Sequence, residues 1–134
     1  MTSIDPEGPA AASPAQLPHD VLVVEDDPLI ALDVSETILG FGVANVRTAG
    51  TVAAALQMIA ERAPDFVLLD VGLVREKSFA VAEQLAILKI PFVFVTGYSG
   101  DGGIPAAFAR IPVLTKPCLR DALRDVLHAW RAQT

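Results

Sequence analysis

Val21-Leu22-Val23-Val24-Glu25-Asp26-Asp27-Pro28 decides how the rest of the chain is read. Four apolar residues run without a break into three acids, and the third acid precedes a proline. A continuous apolar run of this length is what a parallel strand shows when helices cover both faces of its sheet. Asp27 suits a helix N-cap and Pro28 the first turn, where the N–H that proline lacks has no intrahelical partner anyway. The stretch therefore reads strand, acidic turn, helix.

The same pattern recurs downstream. Phe66-Val67-Leu68-Leu69, Phe92-Val93-Phe94-Val95 and Val113-Leu114 are further apolar runs, while Val46-Arg47-Thr48-Ala49 alternates and suits an edge strand. Helical segments lie between them. The first carries Leu29, Leu32, Ile38 and Leu39 and ends at Gly40 or Gly42. Thr51 caps the second, whose Ala54, Ala55, Leu56, Ile59 and Ala60 are expected to face inward before Pro64 stops it. Phe79–Leu88 forms a third. In the last, Leu119, Ala122, Leu123, Val126, Leu127 and Trp130 recur on one stripe. Gly97–Arg110 is the exception: its glycines and Pro105 leave only Ala106–Ala109 for a short fourth helix, and this segment is expected to be the most mobile. Strand and helix alternate five times, which predicts an α/β fold with a five-stranded, doubly wound parallel sheet.

Composition narrows the class. The chain has 134 residues, 52% hydrophobic and 19% charged, so it can bury a core and is not a disordered chain. Cys118 is the only cysteine, which excludes a disulfide frame. A net charge of −6 with no basic stripe argues against nucleic acid as a direct partner. No apolar run approaches the roughly 20 residues of a membrane helix. The start, MTSIDPEGPAAASPAQLPHD, has early acids and prolines instead of the apolar segment of a signal peptide, so a cytoplasmic protein is expected. Residues 1–19 are expected to form a flexible tail and 20–134 the folded domain.

In open α/β sheets ligands bind beyond the carboxyl ends of the strands. The runs end there in Glu25-Asp26-Asp27, Asp70, Thr96 and Thr115-Lys116-Pro117. Gathered carboxylates repel one another, and a hard divalent cation such as Mg²⁺ removes the conflict. Asp70 can then stay ionised and accept a phosphoryl group, with Lys116 and Thr96 supplying charge and a donor to its oxygens. This chemistry requires an Asp70 that is not buried and lies within a solvent molecule's reach of the acids and the ammonium.

These four motifs, in this order, resemble the signature of response-regulator receiver domains over roughly residues 20–132. The resemblance implies a flavodoxin-like strand order 2-1-3-4-5 and Asp70 as the phosphoacceptor. It implies that Glu25 and Asp26 bind the metal with Asp70, that Gly72 adds its backbone carbonyl, and that Thr96 is the switch hydroxyl. Lys116 becomes the phosphate-binding lysine, with a cis bond to Pro117. Pro91-Phe92-Val93-Phe94-Val95-Thr96-Gly97-Tyr98 is similar to the FATGUY subgroup of single-domain receivers from alphaproteobacteria, with Val95 where that motif has Ala. The partners so implied are a sensor histidine kinase, in some members light- or stress-sensing, and a downstream phosphotransfer or regulatory protein. The chain ends after its last helix, so output is expected through protein contact or as a phosphate sink.

Val113 stands where receivers usually carry an aromatic, so an order–disorder change in Gly97–Arg110 is expected to replace the usual threonine–aromatic coupling. Asp27 is read as N-cap ahead of metal assistance. Tyr98 either shields the acyl phosphate or is a surface aromatic. Cys118 is read as a small buried hydrophobe ahead of an oxidant sensor with a lowered pKa. His19 and His128 are read as solvated. A haloacid-dehalogenase-type hydrolase needs a second acid where Gly72 stands, and a flavodoxin-like carrier's phosphate would be repelled by Glu25-Asp26-Asp27. The competing function is an unphosphorylated pseudo-receiver that only binds proteins.

Overall fold

A computed structural model describes residues 17–73, 76–97 and 103–133. Its central sheet is parallel and five-stranded: β1 (Asp20–Val24), β2 (Asn45–Ala49), β3 (Phe66–Asp70), β4 (Phe92–Thr96) and β5 (Val113–Thr115), in the order β2-β1-β3-β4-β5. Among the described residues four α-helices accompany it: α1 (Pro28–Phe41), α2 (Val52–Glu61), α3 (Phe79–Leu88) and α4 (Arg120–His128). The expected receiver-type α/β sheet is present in the expected order.

The pleat sends alternate residues of each apolar run to opposite faces, and both faces are buried. Leu22, Val24, Val67, Leu69, Phe92 and Phe94 pack on one side with α2 and α3 residues such as Ile59 and Leu85. Val21, Val23, Phe66, Leu68, Val93 and Val95 pack on the other with Ile38 of α1 and Leu123 and Leu127 of α4. β2 is half-exposed, as an alternating edge strand should be.

The helix ends follow local chemistry. Asp27 Oδ1 accepts hydrogen bonds from the Leu29 and Ile30 amides, so Asp27 is the N-cap of α1. The helix runs past Gly40 and stops at Gly42, whose φ of 113° lies in the region glycine adopts without strain. Thr51 Oγ1 caps α2 through the Ala54 amide.

Docking against the sheet decides which side of each helix is buried. On α1 the inward face is Ala31, Val34, Ser35 and Ile38, whereas Leu29, Leu32 and Leu39 are exposed. Apolar residues occupy more than one side of this helix, and the strand it leaves decides which side docks. Ala60 and Leu119 likewise point outward. Between β4 and β5 the described residues form a single 3-10 turn, Ala106–Phe108, inside the stretch expected to hold a short or mobile fourth helix. Pro105 opens it, and the buried Phe108 ring pins it against Phe79, Phe92 and Phe94 at centroid distances of 6.5, 6.3 and 5.7 Å. Leu17 and Pro18 are buried, and Leu17 joins the α1/α4 core layer.

Candidate functional site

Strand register brings the polar termini together. Val24 pairs with Leu69, so Glu25 follows at the level of Asp70. Asp70 pairs with Val95, and Thr96 pairs with Thr115, which places Lys116 next in line. The Lys116 amide donates to the Thr96 carbonyl at 2.8 Å, and the Lys116–Pro117 bond is cis.

Glu25, Asp26 and Asp70 each offer a carboxylate oxygen, all within 4.8 Å of one another. Lys116 Nζ lies 2.8 Å from Glu25 Oε1 and 2.8 Å from Asp70 Oδ2, so one ammonium bridges the two strand ends. The remaining oxygens are held from the backbone. Glu25 Oε2 accepts from the Asp27 amide at 3.0 Å, and Asp70 Oδ1 accepts from the Gly72 amide at 3.2 Å. The described contact of Gly72 with the site is thus made by its N–H.

The Lys116 ammonium is shared between Glu25 and Asp70. Burial pushes the Glu25 carboxyl up to about 7, with the neighbouring Asp70 charge adding to the rise, against the lowering bonds from Lys116 and the Asp27 amide. Burial alone would lower the Lys116 ammonium, but its bonds to Asp70 and Glu25 prevail and hold it above its ordinary range. Burial likewise pushes the Cys118 thiol up. That is the opposite of an activated thiol, so the oxidant-sensor reading of Cys118 has no support, and the half-buried side chain packs against the α1/α4 layer.

The requirement of an open Asp70 is not met: Asp70 is only 3% exposed. Its strand lies between β1 and β4, and the Lys116 head closes over Oδ2. Beneath the carboxylates lies a cavity of about 10 Å³ lined by Glu25, Asp70, Val95 and Cys118, at the lower limit for one water. Outside Lys116 an open groove of about 410 Å³ runs past Ile30, Asp33, Gly97 and Pro117. Lys116 thus lines the groove with one side and bonds Asp70 with its ammonium. Thr96 is buried, and its hydroxyl has no hydrogen-bond partner among the described residues.

The response regulator receiver domain model matches residues 21–128. The chain belongs to that family. Among solved receivers, SdrG from Sphingomonas melonis Fr1 is 39% identical with a TM-score of 0.74, covering 87% of this chain and 98% of that one. SdrG from Pseudomonas melonis Fr1 in its BeF3-activated conformation is 41% identical with a TM-score of 0.71, covering 83% and 94%. Among curated relatives, the transcriptional regulatory protein PdtaR of Mycobacterium tuberculosis is 32% identical over 69% of this chain and 45% of its own. The phyllosphere-induced regulator PhyR of Methylorubrum extorquens is 31% identical over 63% of this chain and 33% of its own. The chain spans less than half the length of these curated relatives.

All the site residues read from this receiver's sequence lie on one edge of the sheet, and the side chains of Glu25, Asp26, Asp70 and Lys116 converge. His19 and His128 are exposed, and Trp130 packs partly against the α1/α4 layer. Tyr98 and residues 1–16 lie outside the described residues, as does much of the glycine-rich segment. No helix among the described residues is long and apolar enough to cross a membrane. Glu76 is a contact that sequence reasoning missed: its carboxylate accepts from the Val52 amide across 24 positions. No local pattern signals a partner so far along the chain.

Proposed function

We propose that this receiver is a single-domain response regulator that takes a phosphoryl group from a sensor histidine kinase onto Asp70. The observation that carries this reading is the Lys116 ammonium bonded to both Glu25 and Asp70 beside Asp26, on three convergent strand ends. An all-oxygen set of three carboxylates that repel one another, one held up at about 7, fits a hard divalent cation. Mg²⁺ held by Glu25, Asp26 and Asp70, with a backbone carbonyl from Gly72, would supply the positive charge that phosphoryl transfer needs.

The rest is the work of the chain's own residues. An Asp70 carboxylate oxygen forms a bond to phosphorus as the bond from phosphorus to the donor imidazole nitrogen breaks, and the imidazole leaves with that electron pair. Lys116 releases Asp70 and turns its ammonium to the phosphoryl oxygens, exposing the carboxylate that it covers at rest. The buried Thr96 hydroxyl then finds an acceptor in those oxygens. Such a receiver turns over only its own phosphoryl group. Similarity to SdrG over nearly the whole of that chain supports membership of the single-domain FATGUY-type receivers. It also supports a kinase partner of the light- or stress-sensing kind, with output to a phosphotransfer or regulatory protein or as a phosphate sink.

Burial of Asp70 favours a second reading, an unphosphorylated pseudo-receiver that only binds proteins. One experiment separates them. With acetyl phosphate and Mg²⁺, wild type gains the mass of one phosphoryl group and Asp70→Asn gains none. No mass gain in wild type with either acetyl phosphate or a phosphorylated kinase establishes the pseudo-receiver.

A further inference from the structure

After Asp70 the chain doubles back as a small antiparallel ribbon, Gly72–Leu73 against Glu76–Lys77. A ribbon of two residues a side does not hold its own position in water. Its outer strand is anchored to another part of the fold: Glu76 Oε2 accepts a hydrogen bond from the Val52 amide at 3.0 Å. Val52 is the first residue of α2, whose opening N–H groups carry partial positive charge and lack intrahelical acceptors. Thr51 serves one of them through the Ala54 amide, and Glu76 serves another from the far side of the loop.

The turn that leads into α2 touches the other half of the acidic site. A Cβ on Gly50 would lie 3.8 Å from the Glu25 carbonyl oxygen and 3.9 Å from Asp26 Cα, so this turn runs against the backbone of the acidic pair. The Glu25 amide donates to the Ala49 carbonyl at 2.9 Å, fixing that contact. A closed circuit results: Asp70 to Gly72, across the ribbon to Glu76, through Val52 and Gly50, and back to Glu25 and Asp26.

We propose that Glu76 is a positioning residue for the cation site, holding the Gly72 ribbon at a set distance from Glu25 and Asp26 by its bond to the amino end of α2. The proposal rests on the reading of Glu25, Asp26, Asp70 and Gly72 as the Mg²⁺ site. Glu76 touches neither the cation nor the phosphoryl group. Leu73 seats the inner strand in the core, and the Ser78 amide bonds the Val71 carbonyl at the ribbon's base. Loss of the Glu76 bond therefore frees chiefly the outer strand and, through the pairing of Lys77 with Gly72, shifts the Gly72 backbone relative to the acids.

Calorimetric titration of the full chain with Mg²⁺ tests this, using wild type, Glu76→Ala, Glu76→Gln and Asp26→Asn. Glu76→Ala is expected to weaken Mg²⁺ binding about tenfold, the lower end for an outer-shell partner because Glu76 is exposed. Amide hydrogen exchange at Val52 and Gly72 is expected to quicken in the same variant. Glu76→Gln keeps an acceptor oxygen for the Val52 amide and is expected to regain most of the affinity. Affinity within twofold of wild type for Glu76→Ala overturns the proposal, and so does equal weakening in both variants, which would show a distant charge effect. Failure of the underlying reading looks different: wild type then binds no Mg²⁺, or Asp26→Asn binds it as well as wild type, and both proposals go together.

Discussion

β1 carries a buried acid at each end, and the two are treated in opposite ways. Asp20, 7% exposed, opens the strand and is met by two guanidiniums: Arg47 binds its carboxylate through Nε and Nη2 at 3.2 Å, and Arg62 Nε adds a bond at 2.8 Å. Arg47 is itself fastened to the Met58 and Arg62 carbonyls, which leaves the Asp20 carboxylate fully met by positive charge and hydrogen bonds. Glu25, 6% exposed, follows the strand five residues later and shares one ammonium with Asp70 while Asp26 adds a third carboxylate. Equal burial therefore says nothing about role. What separates the two ends among the described residues is how each carboxylate is met: two guanidiniums converge on Asp20, whereas one ammonium is shared between Glu25 and Asp70.

The largest effect that tests this contrast belongs to the matched end. Asp20→Ala strands two arginines and is expected to cost about 3 kcal/mol in urea unfolding, the lower part of the range for a broken buried pair since Arg62 reaches solvent. Its phosphorylation by acetyl phosphate is expected to persist wherever the variant is folded. A stability equal to wild type would break the contrast.

At the other end the sign reverses. Glu25 is held up at about 7, whereas its ordinary value is 4.5, so between those pH values the unfolded chain carries fewer protons than the folded one. Stability conferred by this group is present at low pH and falls as pH rises through the window, by about 3 kcal/mol. Urea titrations at pH 5 and 8 in EDTA should show that fall in wild type relative to Glu25→Gln, in which it is absent. Identical pH profiles would show that burial does not hold the Glu25 carboxyl up.

The third effect is smaller and sharpens the same point. Lys116→Met removes the ammonium that now serves Glu25 and Asp70. Mg²⁺ should then bind about tenfold more tightly, roughly 1.4 kcal/mol, because a competing cation is gone. Unchanged affinity by calorimetry would mean that the lysine and the metal do not contend for the same oxygens.

Much of this was legible in the chain. Apolar runs of four residues announced strands covered on both sides, and the pleat divides each run between two core layers, Val21 and Val23 on one and Leu22 and Val24 on the other. The alternation of β2 announced an edge. The polar residues that end the runs marked one edge of the sheet before any register was known, because parallel strands put all their carboxyl ends together. The burial of Asp70, the outward turn of Leu29, Leu32 and Leu39, and the bond from Glu76 to Val52 were not legible. Each depends on a partner distant in the chain or on which helix face meets the sheet. Local pattern carries no information about either.

The sequence by itself determined the order of elements, the strands that form the sheet and the polar residues at its carboxyl edge. These follow from short-range rules: side-chain alternation, helix capping, and the need of apolar runs to leave water. Only the tertiary structure decided how charge is shared there. Asp20 and Glu25 are both acids flanking one apolar run, and nothing local distinguishes them. Their difference arises from where Arg47, Arg62 and Lys116 arrive after the chain has closed on itself, since electrostatic balance depends on distances that only folding sets.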